Sequence, residues 1–219
     1  WNLPDEVLPK LKNLKVIFSM GAGVDHILKL NNYNKKIPII RIKDTLMGER
    51  IANYSLAQLL NYQLNFKIFQ NSQNKQYWSG ERTPIDNKNL TVGILGLGFL
   101  GNHIARLFSK LNYKVIAYKK SLTKEKNIKI YTGKNIINFI KNSDVIISIL
   151  PSTPQTHNMI DKKFLKLMKK NSCLINIGRG NTIEEKDLIN HLKKNKNFFA
   201  YLDVFKNEPL ESSSQFWKL

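Results

Sequence analysis

The sequence predicts an α/β protein with a doubly wound parallel sheet and part of a second, smaller α/β lobe. Two observations lead to this prediction. After residue 90, short and nearly continuous apolar runs alternate with segments whose apolar residues recur at helical spacing. This alternation is typical of parallel strands that helices cover on both faces. A glycine-rich turn, residues 96–101, also joins the first of these runs to the first helical segment.

We assign residues 1–48 to the smaller lobe and expect it to be flavodoxin-like. It contains two strand candidates, residues 15–18 and 37–42, and between them a short helix that extends to about residue 30. The loop Gly21-Ala22-Gly23 connects the first strand to this helix. Its backbone N–H groups can be presented to an anion, and a simple tight turn is the alternative.

The larger lobe, residues 49–219, begins with a long helical pattern over 49–76, in which apolar residues recur at spacings of three and four. A helix longer than average is expected to bridge two lobes or to pack on a second subunit, and an ordinary core helix is the alternative. The patterns that follow predict strands at 90–95, 114–118, 128–131, 145–149, 174–177 and 199–204, and helices at 102–108, 136–140, 164–168 and 188–194.

The glycine turn has the spacing of a dinucleotide site. Gly96, Gly98 and Gly101 fit the pattern G-x-G-x-x-G, in which the glycines permit a tight turn, close approach of a pyrophosphate, and close packing of helix on strand. The helix that starts here offers backbone N–H groups to phosphates. We therefore predict a Rossmann-type nucleotide site that includes Phe99 and Leu100, against the alternative of a purely structural turn.

The residues after the second strand bear on the choice of cofactor. An NAD site usually has an acidic residue about 20 positions beyond the glycines, whereas this strand is followed by Lys119, Lys120 and Ser121. Two cations and a hydroxyl suit a 2′-phosphate. We therefore expect NADP(H) to be preferred and NAD(H) to be possible, and the alternative is a solvated lysine pair.

Composition limits the other classes of partner. The net charge is +19, which is compatible with nucleic-acid binding, but the excess is nearly all lysine spread along the whole chain, so we do not expect that partner. Cys173 is the single cysteine, so no disulfide forms within the chain. With no apolar run of membrane-spanning length and no signal-peptide pattern, we expect a cytoplasmic protein without a membrane partner, and we assign no metal site.

Polar and flexible residues follow the later strands, where a ligand crevice is expected. An arginine between two glycines, Arg179, can approach a ligand and grip a carboxylate with two hydrogen bonds. Asp203 and Glu208 follow the last strand, where a carboxylate can tune a neighbouring base. Taken singly, each of these residues also fits a turn or a cap.

Together, these motifs resemble the D-isomer-specific 2-hydroxyacid dehydrogenases. The resemblance rests on the segments 21–25 (GAGVD), 96–101 (GLGFLG), 175–180 (INIGRG) and 202–209 (LDVFKNEP), which occur in the order of that family. Within it, residues 20–25 and 47–49 resemble the glyoxylate/hydroxypyruvate reductase branch. The resemblance covers essentially the whole chain.

This resemblance implies roles for individual residues. Arg179 matches the arginine that binds the 2-oxo acid and polarises its carbonyl, and Glu208 matches the carboxylate that raises the pKa of a catalytic histidine. The substrate carboxylate is expected at the backbone of Gly21, Ala22 and Gly23, near the aromatic Trp1. The expected cofactor contacts beyond the glycine turn and the lysines are Leu150, Pro151, Thr156, Ile177, Gly178 and, at the nicotinamide end, Asp203.

The resemblance also implies a small 2-oxo or 2-hydroxy acid substrate, a homodimer and a histidine in a Pro-His segment after the Glu-Pro motif. The chain ends at Leu219 before such a segment, and its four histidines, at 26, 103, 157 and 191, do not match that position. We expect either a sequence truncated at both ends or a naturally incomplete homologue. The alternative function is nucleotide sensing, as in the corepressor called C-terminal binding protein, which shares the expected fold.

Overall fold

The computed structural model describes residues 3–80, 83–121, 125 and 128–219 of the chain. The small lobe holds two parallel strands, β1 (Ile17–Ser19) and β2 (Ile39–Arg41), with Ile17 opposite Ile39. The short helix α1 (Asp25–Leu28) lies between them in the chain. Because β1 and β2 are parallel, the loops that follow them leave the sheet at the same edge.

The large lobe is a parallel sheet of six strands in the order β5-β4-β3-β6-β7-β8. Their bounds are β3 (Thr91–Leu95), β4 (Lys114–Tyr118), β5 (Lys129–Tyr131), β6 (Val145–Ser148), β7 (Ser172–Asn176) and β8 (Phe198–Leu202). Counted within this lobe, the order is 3-2-1-4-5-6, the order of a doubly wound dinucleotide-binding sheet. The predicted fold class is confirmed.

Helices cover both faces of this sheet, and each face has its own buried apolar cluster. The first cluster packs under the helices α2 (Thr45–Gln63) and α4 (Phe99–Lys110), and includes Leu59, Ile104 and Phe108. The second packs under α5 (Ile136–Asn142), α6 (Lys162–Leu167) and α7 (Glu185–Lys194). Strands buried on both faces explain the continuous apolar runs of the sequence.

The long helical pattern over residues 49–76 forms two helices, so the expectation of one continuous helix was wrong. The first helix, α2, begins at Thr45, where the Asp44 carboxylate accepts a hydrogen bond from the Leu46 N–H at 2.9 Å. The second helix, α3, spans Phe66–Asn74. Between them Asn65 has a φ of 58°, a left-handed conformation that asparagine adopts more readily than most residues.

Burial explains why the chain breaks there. The buried residues of α2 recur every three or four positions as far as Gln63 and face α4, whereas α3 has no buried residue. The Gln63 side chain anchors the end of α2, since it accepts a hydrogen bond from the Tyr113 hydroxyl at 2.6 Å and donates one to Asn87. The packing of α2 on α4 and β7 groups this helix with the large lobe. The expected boundary at residue 48 lies inside α2, which begins at Thr45, and it stays a prediction.

The other predicted elements are present, and their ends differ from the sequence prediction by at most three residues. No helix in the part of the chain that the structure describes has the length and apolar character needed to cross a membrane.

Candidate cofactor and substrate cleft

A cleft of about 900 Å³ lies between the two lobes. Its floor is formed by the residues that follow β3, β4, β6 and β7, and its opposite wall by residues of the small lobe. This is the position where a doubly wound sheet binds ligands, outside the carboxyl ends of strands on either side of the switch in strand order. The volume is within the range of small-molecule and cofactor sites.

The glycine turn between β3 and α4 opens onto this cleft. Gly96 has a φ of 110°, which side-chain-bearing residues rarely adopt, and a Cβ at Gly101 would collide with the Gly96 carbonyl oxygen. Gly98 is the N-cap of α4, and a Cβ placed there would meet no atom within 4 Å. Gly98 therefore borders open space.

The start of α4 has the features that a pyrophosphate needs. The Asn102 N–H donates to the Gly98 carbonyl at 2.9 Å, and the N–H groups before it have no carbonyl within the helix to bond. These groups, with the positive end of the dipole of a twelve-residue helix, favour an anion. Phe99 and Leu100 also line the cleft. The residues present thus fit the diphosphate of a dinucleotide.

The charged side chains of the cleft are of one sign within the described residues. Among the described residues, its lining includes no carboxylate. It includes five cationic side chains, namely Arg41, Lys43, Lys119, Lys120 and Arg179. Lys119 and Lys120 directly follow β4, and the Lys119 N–H donates to the Tyr131 carbonyl at 3.2 Å. Ser121 is exposed and is not part of the lining.

The wall expected from the sequence lies along the cleft. Leu150, Pro151, Thr156, Ile177 and Gly178 are all part of its lining. The Thr156 hydroxyl donates to the Pro151 carbonyl at 2.6 Å and so closes this loop on itself. Residues of the lining that the sequence analysis did not single out include Tyr118, Gly133, Gln155 and Met159.

Arg179 makes an ion pair with Asp25 of the small lobe. Its Nε donates to both carboxylate oxygens, at 3.2 and 3.3 Å, and its Nη2 donates to Oδ1 at 3.1 Å. Its Nη1 donates to the Gly178 carbonyl at 2.9 Å. Three of the five guanidinium N–H groups are thus engaged, and within the described residues one on each terminal nitrogen stays available. Two such groups suit an oxygen or a carboxylate of a ligand.

The pKa of Asp25 follows from this contact. Burial alone would raise the pKa of the carboxyl, but the hydrogen bonds and the charge of Arg179 outweigh burial and hold it below its ordinary value. Asp25 is therefore ionised at neutral pH. Its negative charge balances the positive charge of Arg179.

The loop after β1 is only partly exposed to the cleft. Ala22 and Gly23 are part of the lining, and the Arg179 guanidinium packs so closely on Gly23 that any Cβ there would overlap Nη2. Gly21 is buried and does not line the cleft, because its N–H donates to the Ser19 hydroxyl at 3.3 Å and turns inward. Trp1 lies outside the described residues.

The two carboxylates after β8 are not among the residues that line this cleft, and their expected roles stay predictions. Asp203 is exposed, and its N–H donates to the Asn176 carbonyl at 2.9 Å. The exposed Glu208 accepts the Phe205 N–H at 2.8 Å and thereby caps a turn. Both residues follow β8, which is an edge strand of the sheet.

None of the four histidines is part of the lining. His103 packs against the Phe99 ring, with 4.9 Å between ring centroids, and against Gly48. His191 packs on Phe198, and burial lowers its pKa. His157 is exposed and His26 is half-buried.

Sequence reasoning missed the cationic wall of the small lobe, formed by Arg41 at the end of β2 and by Lys43. A usable signal was present. The loop at residues 21–23 and the segment after residue 40 both follow strand candidates of one small parallel lobe, so their side chains were due to meet at one edge.

Comparison with known proteins identifies the class of this cleft. The family model for the NAD-binding domain of D-isomer specific 2-hydroxyacid dehydrogenases matches residues 56–219. Glyoxylate/hydroxypyruvate reductase A of Escherichia fergusonii is 33% identical over 225 residues, which cover 100% of this chain and 71% of that protein.

Two solved structures have the same fold. A D-isomer specific 2-hydroxyacid dehydrogenase of Xanthobacter autotrophicus Py2, in complex with NADPH and MES, superposes with a TM-score of 0.95 at 26% identity, over 100% of this chain and 69% of that one. An NADPH-dependent glyoxylate/hydroxypyruvate reductase of Sinorhizobium meliloti, in complex with NADP and sulfate, has a TM-score of 0.93 at 29% identity, over 100% and 70%. The chain belongs to the D-isomer specific 2-hydroxyacid dehydrogenases, in their glyoxylate/hydroxypyruvate reductase branch, and is of the NAD(P)-dependent oxidoreductase class.

Proposed function

We propose that the protein reduces glyoxylate or hydroxypyruvate to the corresponding 2-hydroxy acid, with NADPH as the preferred hydride donor. The observation that carries this proposal is the cleft itself. It joins a glycine turn suited to a diphosphate with an arginine that keeps two N–H groups available, and its charged side chains are all cationic within the described residues. Small anionic substrates are the molecules that such a site attracts.

Different residues of the large lobe bind different parts of the cofactor. The backbone from Gly98 to Gly101 holds the pyrophosphate, and Lys119 with Lys120 holds the 2′-phosphate. Leu150, Pro151 and Thr156 form the wall that excludes water from the nicotinamide ring. When bound, the nicotinamide supplies the hydride. The crystals of the Xanthobacter and Sinorhizobium relatives with NADPH and NADP support the preference.

Arg179 orients and polarises the 2-oxo group. Asp25 and the Gly178 carbonyl hold the guanidinium plane, so its remaining N–H groups are fixed in direction before the substrate arrives. Donors arranged in advance toward an oxygen that gains negative charge lower the barrier without a reorganisation cost. Ala22 and Gly23 lie beside this guanidinium, where the substrate carboxylate fits.

We assign the proton transfer to none of the four histidines, because none of them lines the cleft. By resemblance to the family, the proton comes from a histidine of a Pro-His segment. The same resemblance implies that Glu208 raises the pKa of this histidine and that Asp203 lies at the nicotinamide end of the cofactor. These two roles stay predictions.

The test is NADPH and NADH oxidation by the full-length protein with glyoxylate and with hydroxypyruvate. We expect turnover with both acids and faster turnover with NADPH. Measurable NADPH binding without turnover would contradict the reductase and favour the nucleotide-sensing alternative.

We also propose a homodimer, as the family resemblance implies. The supporting observation is a group of exposed aromatic side chains on and after α3, namely Phe66, Phe69, Tyr77 and Trp78, of which Trp78 is 89% exposed. Large apolar surfaces of this kind are typical of protein interfaces. Sedimentation of the full-length protein should give twice the chain mass, and a monomer at micromolar concentration would contradict the proposal. The cytoplasmic location stays a prediction.

A further inference from the structure

Two arginines from different lobes contact the same loop of the cleft. Arg179, after β7, packs its guanidinium on Gly23. Arg41, the last residue of β2, extends Nη1 to the Ala22 carbonyl in a long hydrogen bond of 3.4 Å. Both side chains line the cleft, so two guanidinium groups contact the loop at residues 22–23.

These two arginines differ in how their charge is balanced. Arg179 is paired with the ionised Asp25 at 3.1 Å, so the pair carries little net charge, although it keeps N–H groups to donate. Arg41 has no carboxylate within 4.0 Å among the described residues, and the bond to Ala22 is the single hydrogen bond of its side chain in that part of the chain. Arg41 is therefore a source of uncompensated positive charge beside the loop.

A 2-oxo acid has two groups that need different partners. Its carboxylate carries a full negative charge and is best bound by an uncompensated cation. Its 2-oxo oxygen is neutral in the substrate and needs fixed donors that become most effective as charge develops. Arg41 has the properties required by the first group, and the Asp25–Arg179 pair has those required by the second.

We propose that Arg41 is a specificity-determining residue that binds the substrate carboxylate against the loop at residues 22–23, while Arg179, held by Asp25, donates to the 2-oxo oxygen. This assignment rests on the proposed function. In this arrangement an arginine of the small lobe binds the substrate carboxylate, and an arginine of the large lobe binds the 2-oxo oxygen. A single arginine does not have to bind both groups.

Lys43 also lines the cleft and is the closest competitor for this role. Its ammonium is a flexible point charge that, within the described residues, makes no hydrogen bond or ion pair with the loop, whereas the Arg41 guanidinium reaches the Ala22 carbonyl and offers a planar pair of donors. Comparison of Arg41→Gln with Lys43→Gln therefore separates a specific carboxylate contact from general attraction by the cationic wall.

The experiment measures binding of oxamate, a stable analogue of a 2-oxo acid, to the full-length protein saturated with NADPH, by titration calorimetry. Arg41→Gln should weaken oxamate binding about tenfold or more, as expected for loss of a charged hydrogen bond. NADPH affinity should stay within about twofold, since the diphosphate turn is untouched. Arg41→Lys should recover part of the oxamate affinity, because it keeps the charge but loses the planar donor pair.

Arg106→Gln is the matched control, because Arg106 is exposed on α4, is outside the cleft lining, and has the same charge to lose. It should leave oxamate affinity unchanged. Equal oxamate affinity in Arg41→Gln and the unmodified protein would overturn the proposal, as would an unmodified protein that binds no oxamate, or a larger loss in Lys43→Gln.

The outcome is separable from that of the proposed function. If oxamate binding depends on Arg41 but glyoxylate is not reduced, the carboxylate site stands and the reductase assignment fails. If glyoxylate is reduced and Arg41→Gln changes neither oxamate affinity nor the KM for glyoxylate, only the Arg41 assignment fails. Where turnover is present, the expected effect of Arg41→Gln is a raised KM with a nearly unchanged kcat.

Discussion

At the scale of single residues, the chemistry of the cleft depends on arginine geometry. Arg179 has its guanidinium plane held by Asp25 on one edge and by the Gly178 carbonyl on another. A lysine could not make these bonds at the same time, because its ammonium is a single point of charge on a flexible stem. The shape of the side chain therefore matters as much as its charge.

We expect Arg179→Ala and Arg179→Lys to lower kcat/KM for glyoxylate about a hundredfold or more, the usual cost of removing a donor to a developing oxyanion. NADPH affinity, measured by fluorescence, should be close to that of the unmodified protein, because the glycine turn proposed to hold the diphosphate is on another loop. Loss of NADPH binding in a variant whose circular dichroism is unchanged would contradict this role.

The preference between cofactors is also decided by single residues. We expect replacement of Lys119 by Asp and of Lys120 by Ala to lower the ratio of NADPH to NADH affinity at least about tenfold, because a charge-assisted bond to the 2′-phosphate is lost and a carboxylate repels it. Replacement of Lys141 by Asp and of Lys110 by Ala, both exposed on helices outside the cleft, changes the net charge by the same amount and is the control. An unchanged ratio in the double variant would reject the 2′-phosphate assignment.

At the scale of elements, the glycine turn performs two separable tasks. Gly101 lets α4 approach the end of β3, since a Cβ there meets the Gly96 carbonyl oxygen. Gly98 leaves space open at the N-terminus of the same helix. The first task concerns stability and the second concerns binding.

Two alanine variants test this division. Gly101→Ala should lower the free energy of unfolding by about 1–3 kcal/mol through overpacking, and so lower the Tm by several degrees. Gly98→Ala should leave the Tm nearly unchanged, because the new methyl group has room and φ is −97°. It should nevertheless weaken NADPH binding, because the methyl occupies the space proposed for the diphosphate. The reverse pattern, a lower Tm for Gly98→Ala with normal NADPH affinity, would refute the assignment.

Secondary structure was predictable from the sequence to within a few residues, except at the junction of α2 and α3. Apolar spacing continues across that junction, so periodicity alone predicts one helix. The break depends on which apolar residues find a partner. Leu59 is buried in the cluster that packs under α2 and α4, whereas Phe66 and Phe69 stay exposed. The spacing of apolar residues in the sequence does not show that difference.

At the scale of the whole molecule, the Asp25–Arg179 pair is the one ion pair that joins residues 1–48 to residues 49–219 within the described part of the chain. Because the folded-state pKa of Asp25 is lowered, the pair stabilises the folded protein fully above the unfolded pKa of about 3.9. This contribution is lost as the pH falls through the lower, folded-state pKa. It is therefore present over the whole neutral range.

Asp25→Asn should remove the part of the pH dependence of stability that comes from the Asp25–Arg179 pair. We expect the free energy of unfolding to fall less in the variant than in the unmodified protein between about pH 5 and about pH 3, the range in which an aspartate titrates. The kcat for glyoxylate should also fall at pH 7, because the guanidinium is no longer fixed by charge. Asp5→Asn is the control, since the Asp5 carboxylate accepts hydrogen bonds from the Asn31 and Asn32 N–H groups inside the small lobe. Identical acid profiles for the Asp25→Asn and unmodified proteins would contradict the role of the pair.

Local patterns in the chain were sufficient to predict the order of strands and helices, the glycine turn, the family and the place of Arg179 directly after a strand of the sheet. Each of these depends on residues close together in sequence, where apolar spacing and glycine positions act directly on the backbone. That Asp203 and Glu208 are exposed and outside the cleft lining was not visible in any local pattern. The pairing of Arg179 with Asp25 and the approach of Arg41 to the same loop join segments far apart in the chain. Such contacts exist only once the two lobes are packed together, so their geometry could be established only from the folded molecule.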